Sequence, residues 1–171
     1  MQTNDILLDV RNVYVDYLAS NGNVHAVRDV SFTLKRGEIL GLAGESGSGK
    51  STLAFAIARL LRPPALVTDG EIFYYPGLHD GRLRVPALQR YLDEQQGCVE
   101  LLSLNKEQLR LFRWNEFSVV FQSAMNALNP VMTIGNQLMD VFNIHRPEWD
   151  AAARKKRAKE LLQVVRTRSA E

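Results

Sequence analysis

The chain has 171 residues, and 21 lysines and arginines against 19 acidic side chains leave a net charge of +2, so neither nucleic acid nor an anionic membrane is required as a partner. With 46% hydrophobic and 23% charged residues it has the composition of an ordinary globular protein, long enough to bury the core of one domain. No apolar stretch approaches the roughly 20 residues that cross a bilayer, the start MQTNDILLDVRN lacks the marks of a signal peptide, and Cys98, as the single cysteine, cannot form an internal disulfide, which suits a reducing cytoplasm.

Residues Ile6 to Leu18 are rich in β-branched and aromatic side chains and predict a strand. Leu8 and Val10 alternate on one parity, then Val13, Val15 and Tyr17 on the other, so a bulge or break is expected at Arg11-Asn12. Asn21-Gly22 marks a turn, and Val30, Phe32 and Leu34 alternate with polar neighbours as a half-exposed strand. An antiparallel β layer is therefore expected first. Ile39 to Ala43 is a short apolar run, read as a buried strand. Tyr17, upstream, is suited either to stacking on a base or to packing on its strand neighbours.

The run Gly44-Glu45-Ser46-Gly47-Ser48-Gly49-Lys50-Ser51-Thr52 satisfies the phosphate-binding loop pattern G-x-x-x-x-G-K-[ST] at every fixed position. Its flanks fit as well. An apolar run precedes it, and Ser51 to Leu61, free of Gly and Pro, predicts a helix that Arg62-Pro63-Pro64 ends. Glycines at 44, 47 and 49 allow positive φ and a close approach of backbone to ligand. The loop N–H groups then converge at the positive end of a helix, a site for polyphosphate. Lys50 can reach the β- and γ-phosphates, and the Ser51 hydroxyl can ligate Mg²⁺. The residues predict nucleoside triphosphate binding.

Gly70 to Tyr75 predicts a short strand, and the polar, irregular stretch Pro76 to Gly97 reads as an insertion. His79 and Asp80 within it are expected to be solvated. Val99 to Leu102 is a candidate strand, and Asn105 caps a helix through Trp114. Glu116 to Phe121 is a further β-prone run ending at Gln122. Thr133 caps a helix through Phe142, and Arg146-Pro147 is expected to open the last helix, with Trp149, Ala158, Leu161, Leu162 and Val165 on its apolar face. Arg154 to Arg157 with Lys159 form a basic run on that helix, read as a solvated face.

Several of these segments together resemble the ATP-binding subunits of ABC transporters. Val27 to Gly37 leading into Gly44 to Thr52 is similar to the family's opening, and Val119-Val120-Phe121-Gln122 to its glutamine-loop strand. Ala124 to Gly135 (AMNALNPVMTIG) resembles the oligopeptide and dipeptide importer branch. The resemblance implies an α/β fold, a partial P-loop nucleotide-binding core with an N-terminal antiparallel β layer and C-terminal helices. It implies ATP and Mg²⁺ as cofactors, with Tyr17 stacking on adenine and Gly44 to Thr52 holding the phosphates. Ser51 and Gln122 would ligate Mg²⁺, and Gln122 would also position the attacking water. It further implies transmembrane permease subunits and a second ATP-binding subunit as partners, at the cytoplasmic side of the membrane, with no nucleic acid.

The family's remaining motifs are not found in these 171 residues. No L-S-G-G-Q signature, no run of four aliphatic residues ending in Asp after the phosphate loop, and no switch histidine is present; Arg166 onward departs from the family. The expectation is an incomplete ATP-binding domain over 1–171, the N-terminal portion of an importer subunit, that binds ATP without hydrolysing it alone. A non-catalytic nucleotide-binding module and a soluble ABC-type ATPase are the alternatives.

Overall fold

The structure, a computed structural model, describes residues 5–79, 82–83, 89, 91–93, 97–121 and 128–165. They fall into two compact units, 1–119 and 120–171. The first unit is built on an antiparallel sheet of strands β1 (Ile6–Tyr17), β2 (Val24–Lys35), β3 (Ala65–Tyr74) and β6 (Val99–Glu100), in the spatial order β2-β1-β3-β6. Helix α1 (Lys50–Ile57) packs on this sheet, and α2 (Lys106–Glu116) follows β6. Two-residue strands β4 (Leu78–His79) and β5 (Arg82–Leu83) pair with each other. Half of the insertion expected over 76–97 lies outside the described residues.

The bulge in β1 explains the parity slip. Val10 pairs with Phe32, but Val13 already pairs with Val30, so β1 holds an extra residue there. Asn12 takes it up at φ 46°, a region Asn tolerates better than most residues. Its amide donates to Asp29 Oδ1 at 2.7 Å and its backbone N–H to Ser31 Oγ at 2.8 Å. Because of the extra residue, Val10, Val13 and Val15 all face the core and are at most 1% exposed. Leu53 and Ala56 of α1, Ile72 and Tyr74 of β3 and Phe112 of α2 complete that core. Phe112 meets the Tyr74 ring edge-on at 5.0 Å between centroids, and the Tyr74 hydroxyl donates to Glu116.

Helix ends follow their caps. Asn105 Oδ1 accepts from the N–H groups of Glu107 and Gln108 at 3.0 Å each, and Gln108 Oε1 accepts from Asn105 N–H at 2.6 Å, a full capping box. Helix α1 stops at Ile57, short of the expected Leu61. Arg59 turns to φ 56°, its N–H bonds Ala56 O at 2.9 Å, and Leu60 N–H reaches back to Phe55 O at 2.8 Å. That pattern closes a helix from within. Strand β3 starts at Ala65, ahead of the expected Gly70, because Ala65 to Asp69 pair with Tyr17 to Tyr14 of β1.

Two expected strands are not formed. Ile39 to Ala43 has no regular structure, and Ile39 is 96% exposed. Residues 117–121 likewise form no strand, and Val120 is 93% exposed. A buried strand is defined by neighbours that take up its backbone groups. Among the described residues neither segment has one.

The second unit contains α3 (Ile134–His145) and α4 (Ala151–Val164). Thr133 caps α3, its Oγ1 accepting from Asn136 N–H at 3.2 Å, and the helix runs past the expected Phe142. Asp150, rather than Arg146-Pro147, starts α4, accepting from Ala153 N–H at 2.7 Å. Phe142 is buried against Trp149, with centroids 5.7 Å apart. Of the apolar face expected on α4, Ala158 is buried and Leu161 and Leu162 half-buried, while Val165 is exposed. Of the basic run, Lys155, Lys156, Arg157 and Lys159 are exposed. Arg154 is not, because it reaches back to Asn143 and to Pro147 O at 3.0 Å.

Candidate nucleotide-binding site

The phosphate loop enters α1 through Gly49, which caps the helix at φ 87° without any side-chain hydrogen bond. The first intrahelical bond runs from Leu53 N–H to Gly49 O at 2.8 Å. The N–H groups of Lys50, Ser51 and Thr52 therefore precede the hydrogen-bonded ladder, at the positive end of the helix dipole. Gly49 also lies hard against β2. A Cβ added there would stand 2.3 Å from Ala26 O, so this position admits only glycine without a backbone shift.

Lys50 closes the loop on itself. Its Nζ donates to Gly44 O at 2.8 Å, Glu45 O at 2.6 Å and Ser48 Oγ at 3.2 Å. The loop backbone is tied once more by Ser48 N–H to Glu45 O at 3.2 Å. The ammonium is thus held inside the ring of residues 44–50, beside the uncapped N–H groups. A cation in the loop next to a helix start with free backbone donors is an arrangement suited to a polyphosphate. Glu45, Ser46, Gly47, Ser48 and Ser51 are exposed, so the loop is accessible.

Tyr17 belongs to the same locality. The end of β1 carries it to the first turn of α1, where its hydroxyl lies 3.2 Å from Thr52 Oγ1. With 36% of its surface exposed, ring area remains open beside the loop. Next to it, Asp16, itself buried, bonds His25 Nδ1 at 2.8 Å across the β1–β2 hairpin. Neither the Asp16–His25 pair nor the Ala26 carbonyl against Gly49 was visible in the sequence pattern. Both arise from strand register, for which a lone His and a lone Ala are no signal. Gln122 lies outside the described residues.

A β layer carrying a phosphate loop on its first helix defines a nucleotide-binding cassette. The sequence model of the ABC transporter family matches residues 27–171, and the chain belongs to that family; the match takes in the residues from Arg166 onward, which were expected to depart from it. It is 39% identical over 140 residues to the oligopeptide transport ATP-binding protein OppD of Haemophilus influenzae, covering 82% of this chain and 36% of that protein. It is 37% identical to the probable D,D-dipeptide transport ATP-binding protein DdpD of Escherichia coli, over 88% of this chain and 39% of the relative. A putative peptide import ATP-binding protein of Brucella abortus is 40% identical over 94% of this chain and 41% of its own length. The chain therefore spans about two fifths of the length of these curated relatives. Among solved structures, the ATP-binding cassette MJ0796 in a dimeric post-hydrolysis state bound to ADP and Pi matches with a TM-score of 0.67 and 25% identity, over 92% of this chain and 56% of that one. No helix among the described residues is long and apolar enough to cross a membrane.

Proposed function

We propose that this chain binds Mg-ATP as part of the ATP-binding subunit of an importer for oligopeptides or dipeptides. The observation that carries the reading is the loop Gly44 to Thr52. Lys50 Nζ is held within it at 2.6 to 3.2 Å from three oxygens, and three N–H groups stand uncapped at the start of α1. When a polyphosphate enters, its oxygens replace these carbonyls as acceptors for Lys50, while the N–H groups of residues 50–52 remain fixed toward it. The Ser51 hydroxyl, on the exposed side of the first turn, would hold Mg²⁺ together with the Gln122 amide. Bound Mg²⁺ supplies neutralisation of phosphate charge. Tyr17, tied to Thr52, would offer its ring to adenine.

Similarity to the peptide import ATP-binding proteins supports the transport role. Permease subunits and a second ATP-binding subunit would be the partners, and the cytoplasmic face of the membrane the location. Leu128, Val131 and Ile134, all exposed, lie in the segment that resembles the importer branch and are suited to an apolar partner surface. After the phosphate loop these 171 residues carry no run of four aliphatic residues ending in Asp to orient water, so binding without turnover is expected of them alone. Calorimetric titration with Mg-ATP, run beside a steady-state hydrolysis assay, tests the reading. Wild-type chain should bind without measurable turnover, and Lys50→Ala should not bind. Unchanged affinity in Lys50→Ala would overturn the phosphate-site assignment, and robust turnover would overturn the non-catalytic part.

A further inference from the structure

The far end of α1 carries charge that the nucleotide site does not use. Arg59 occupies the left-handed position that closes the helix, where glycine is the favoured residue because it has no Cβ. Such a conformation in a residue with a side chain persists only where something else compensates for it, and it is a pointer to function. The backbone is held there by Arg59 N–H to Ala56 O, by Leu60 N–H to Phe55 O and by a donation from Arg113 to Arg59 O, but none of these bonds uses the Arg59 side chain. The Arg59 guanidinium makes no hydrogen bond or ion pair with the described residues, and its Nε is buried without an acceptor.

A second guanidinium stands beside it. Arg113 of α2 donates through Nε to Ala58 O at 3.2 Å and through its terminal nitrogen to Arg59 O. Burial, and then the neighbouring Arg59 charge, push Arg113 below its ordinary value. No carboxylate of the described residues pairs with either arginine. Both side chains are half-buried, and the Arg113 charge is taken up by the two carbonyls at the end of α1, whereas the Arg59 guanidinium has no acceptor among the described residues. Next to Arg59 lies a cavity of about 260 Å³, lined also by Ala56, Leu61, Ala65, Leu66 and Val67, between the end of α1 and the start of β3. That is room for a small ion with a few waters, at roughly 30 Å³ per water.

We infer that this cavity binds a small oxyanion, a phosphoryl group or a carboxylate, held by the Arg59 guanidinium with the Arg113 charge behind it. The planar fork of Arg59 matches either group in two-point contact. The site lies at the opposite end of α1 from the phosphate loop, about 12 Å along the axis for an eight-residue helix at roughly 1.5 Å per residue. It is independent of the ATP reading.

The test is thermal unfolding of the full chain in a Lys50→Ala background, which disables the phosphate loop. Chloride is replaced stepwise by phosphate, and in parallel by acetate, at constant ionic strength. A saturable rise in Tm with at least one of the anions is expected, abolished by both Arg59→Gln and Arg59→Gly. Arg59→Gly should itself melt higher than Arg59→Gln, because glycine relieves the left-handed backbone. A stronger response to phosphate assigns the ligand as phosphoryl, and a stronger response to acetate as carboxylate. Should Lys50→Ala fail to fold, titration of the wild-type chain should show a saturable phase that Arg59→Gln removes while Mg-ATP affinity is retained. Equal, unsaturable rises in all variants would reflect general salt exclusion and would overturn the inference, as would no response to either anion.

Discussion

Replacing Gly49 with alanine should damage the protein far more than the same change at Gly47, although both glycines sit at nearly the same φ, 87° and 83°. A Cβ at such an angle costs about 1–2 kcal/mol in either position. Around Gly47 nothing lies within 4 Å of the added atom, so the cost ends there. At Gly49 the Cβ would fall 2.3 Å from the backbone oxygen of Ala26, a distance no relaxed structure holds. Either α1 or β2 must move, and such overpacking adds about 1–3 kcal/mol. Gly49→Ala should therefore lose about 2–5 kcal/mol against about 1–2 for Gly47→Ala. With a urea slope of about 1–3 kcal/mol per molar, the two midpoints should be separated by about 1 M. Urea titrations followed by circular dichroism read this directly. Equal midpoints for the two variants would mean that the contact between α1 and β2 is not as described, and with it the seat of the phosphate loop.

Tyr17→Ala should weaken Mg-ATP binding by about 1–3 kcal/mol while sparing inorganic triphosphate, because only the base is stacked; equal loss for both ligands would rule out that role. Asn105→Ala removes the side-chain acceptor of the capping box, leaving the backbone N–H bond to Gln108, and should lower stability by about 0.5–2 kcal/mol, measured by urea unfolding; no change would mean that α2 is set by its packing alone. Cys98 is 1% exposed and burial raises its thiol above the ordinary 9.0, so alkylation at neutral pH should be slow in the folded chain and fast in urea. Equal rates would contradict its burial. Burial also raises Tyr75 above 10.0. For both groups the folded state holds the proton more tightly than the unfolded one. The stability they contribute is thus fully present below about pH 9 and lost as pH rises through the folded values. Urea midpoints that rise across that range would reverse the sign and refute the assignment.

The β1 bulge at Arg11-Asn12, the Asn105 cap and the Thr133 cap were legible in the sequence because each depends on residues within a few positions of one another, so their chemistry is written in short spacings. Propensity misled where an element depends on a distant neighbour. Ile39 to Ala43 and residues 117–121 have the composition of strands, yet no described strand lies beside them to accept their hydrogen bonds. Strand β3 extends back to Ala65 through residues of little intrinsic signal, because β1 offers them a partner.

The sequence by itself determined the chemistry of the candidate site, since the loop, its lysine and its hydroxyls are contiguous and a helix start aligns them. Only the tertiary structure decided what surrounds that chemistry. It placed Tyr17 against Thr52 and Ala26 against Gly49, and it left Arg59 unpaired beside a cavity at the other end of α1. The first two contacts join residues 35 and 23 positions apart, and the bond from Arg113 to the Arg59 carbonyl spans 54. Register between strands and the packing of a helix on a sheet determine such distances, and neither is encoded in any one stretch of chain.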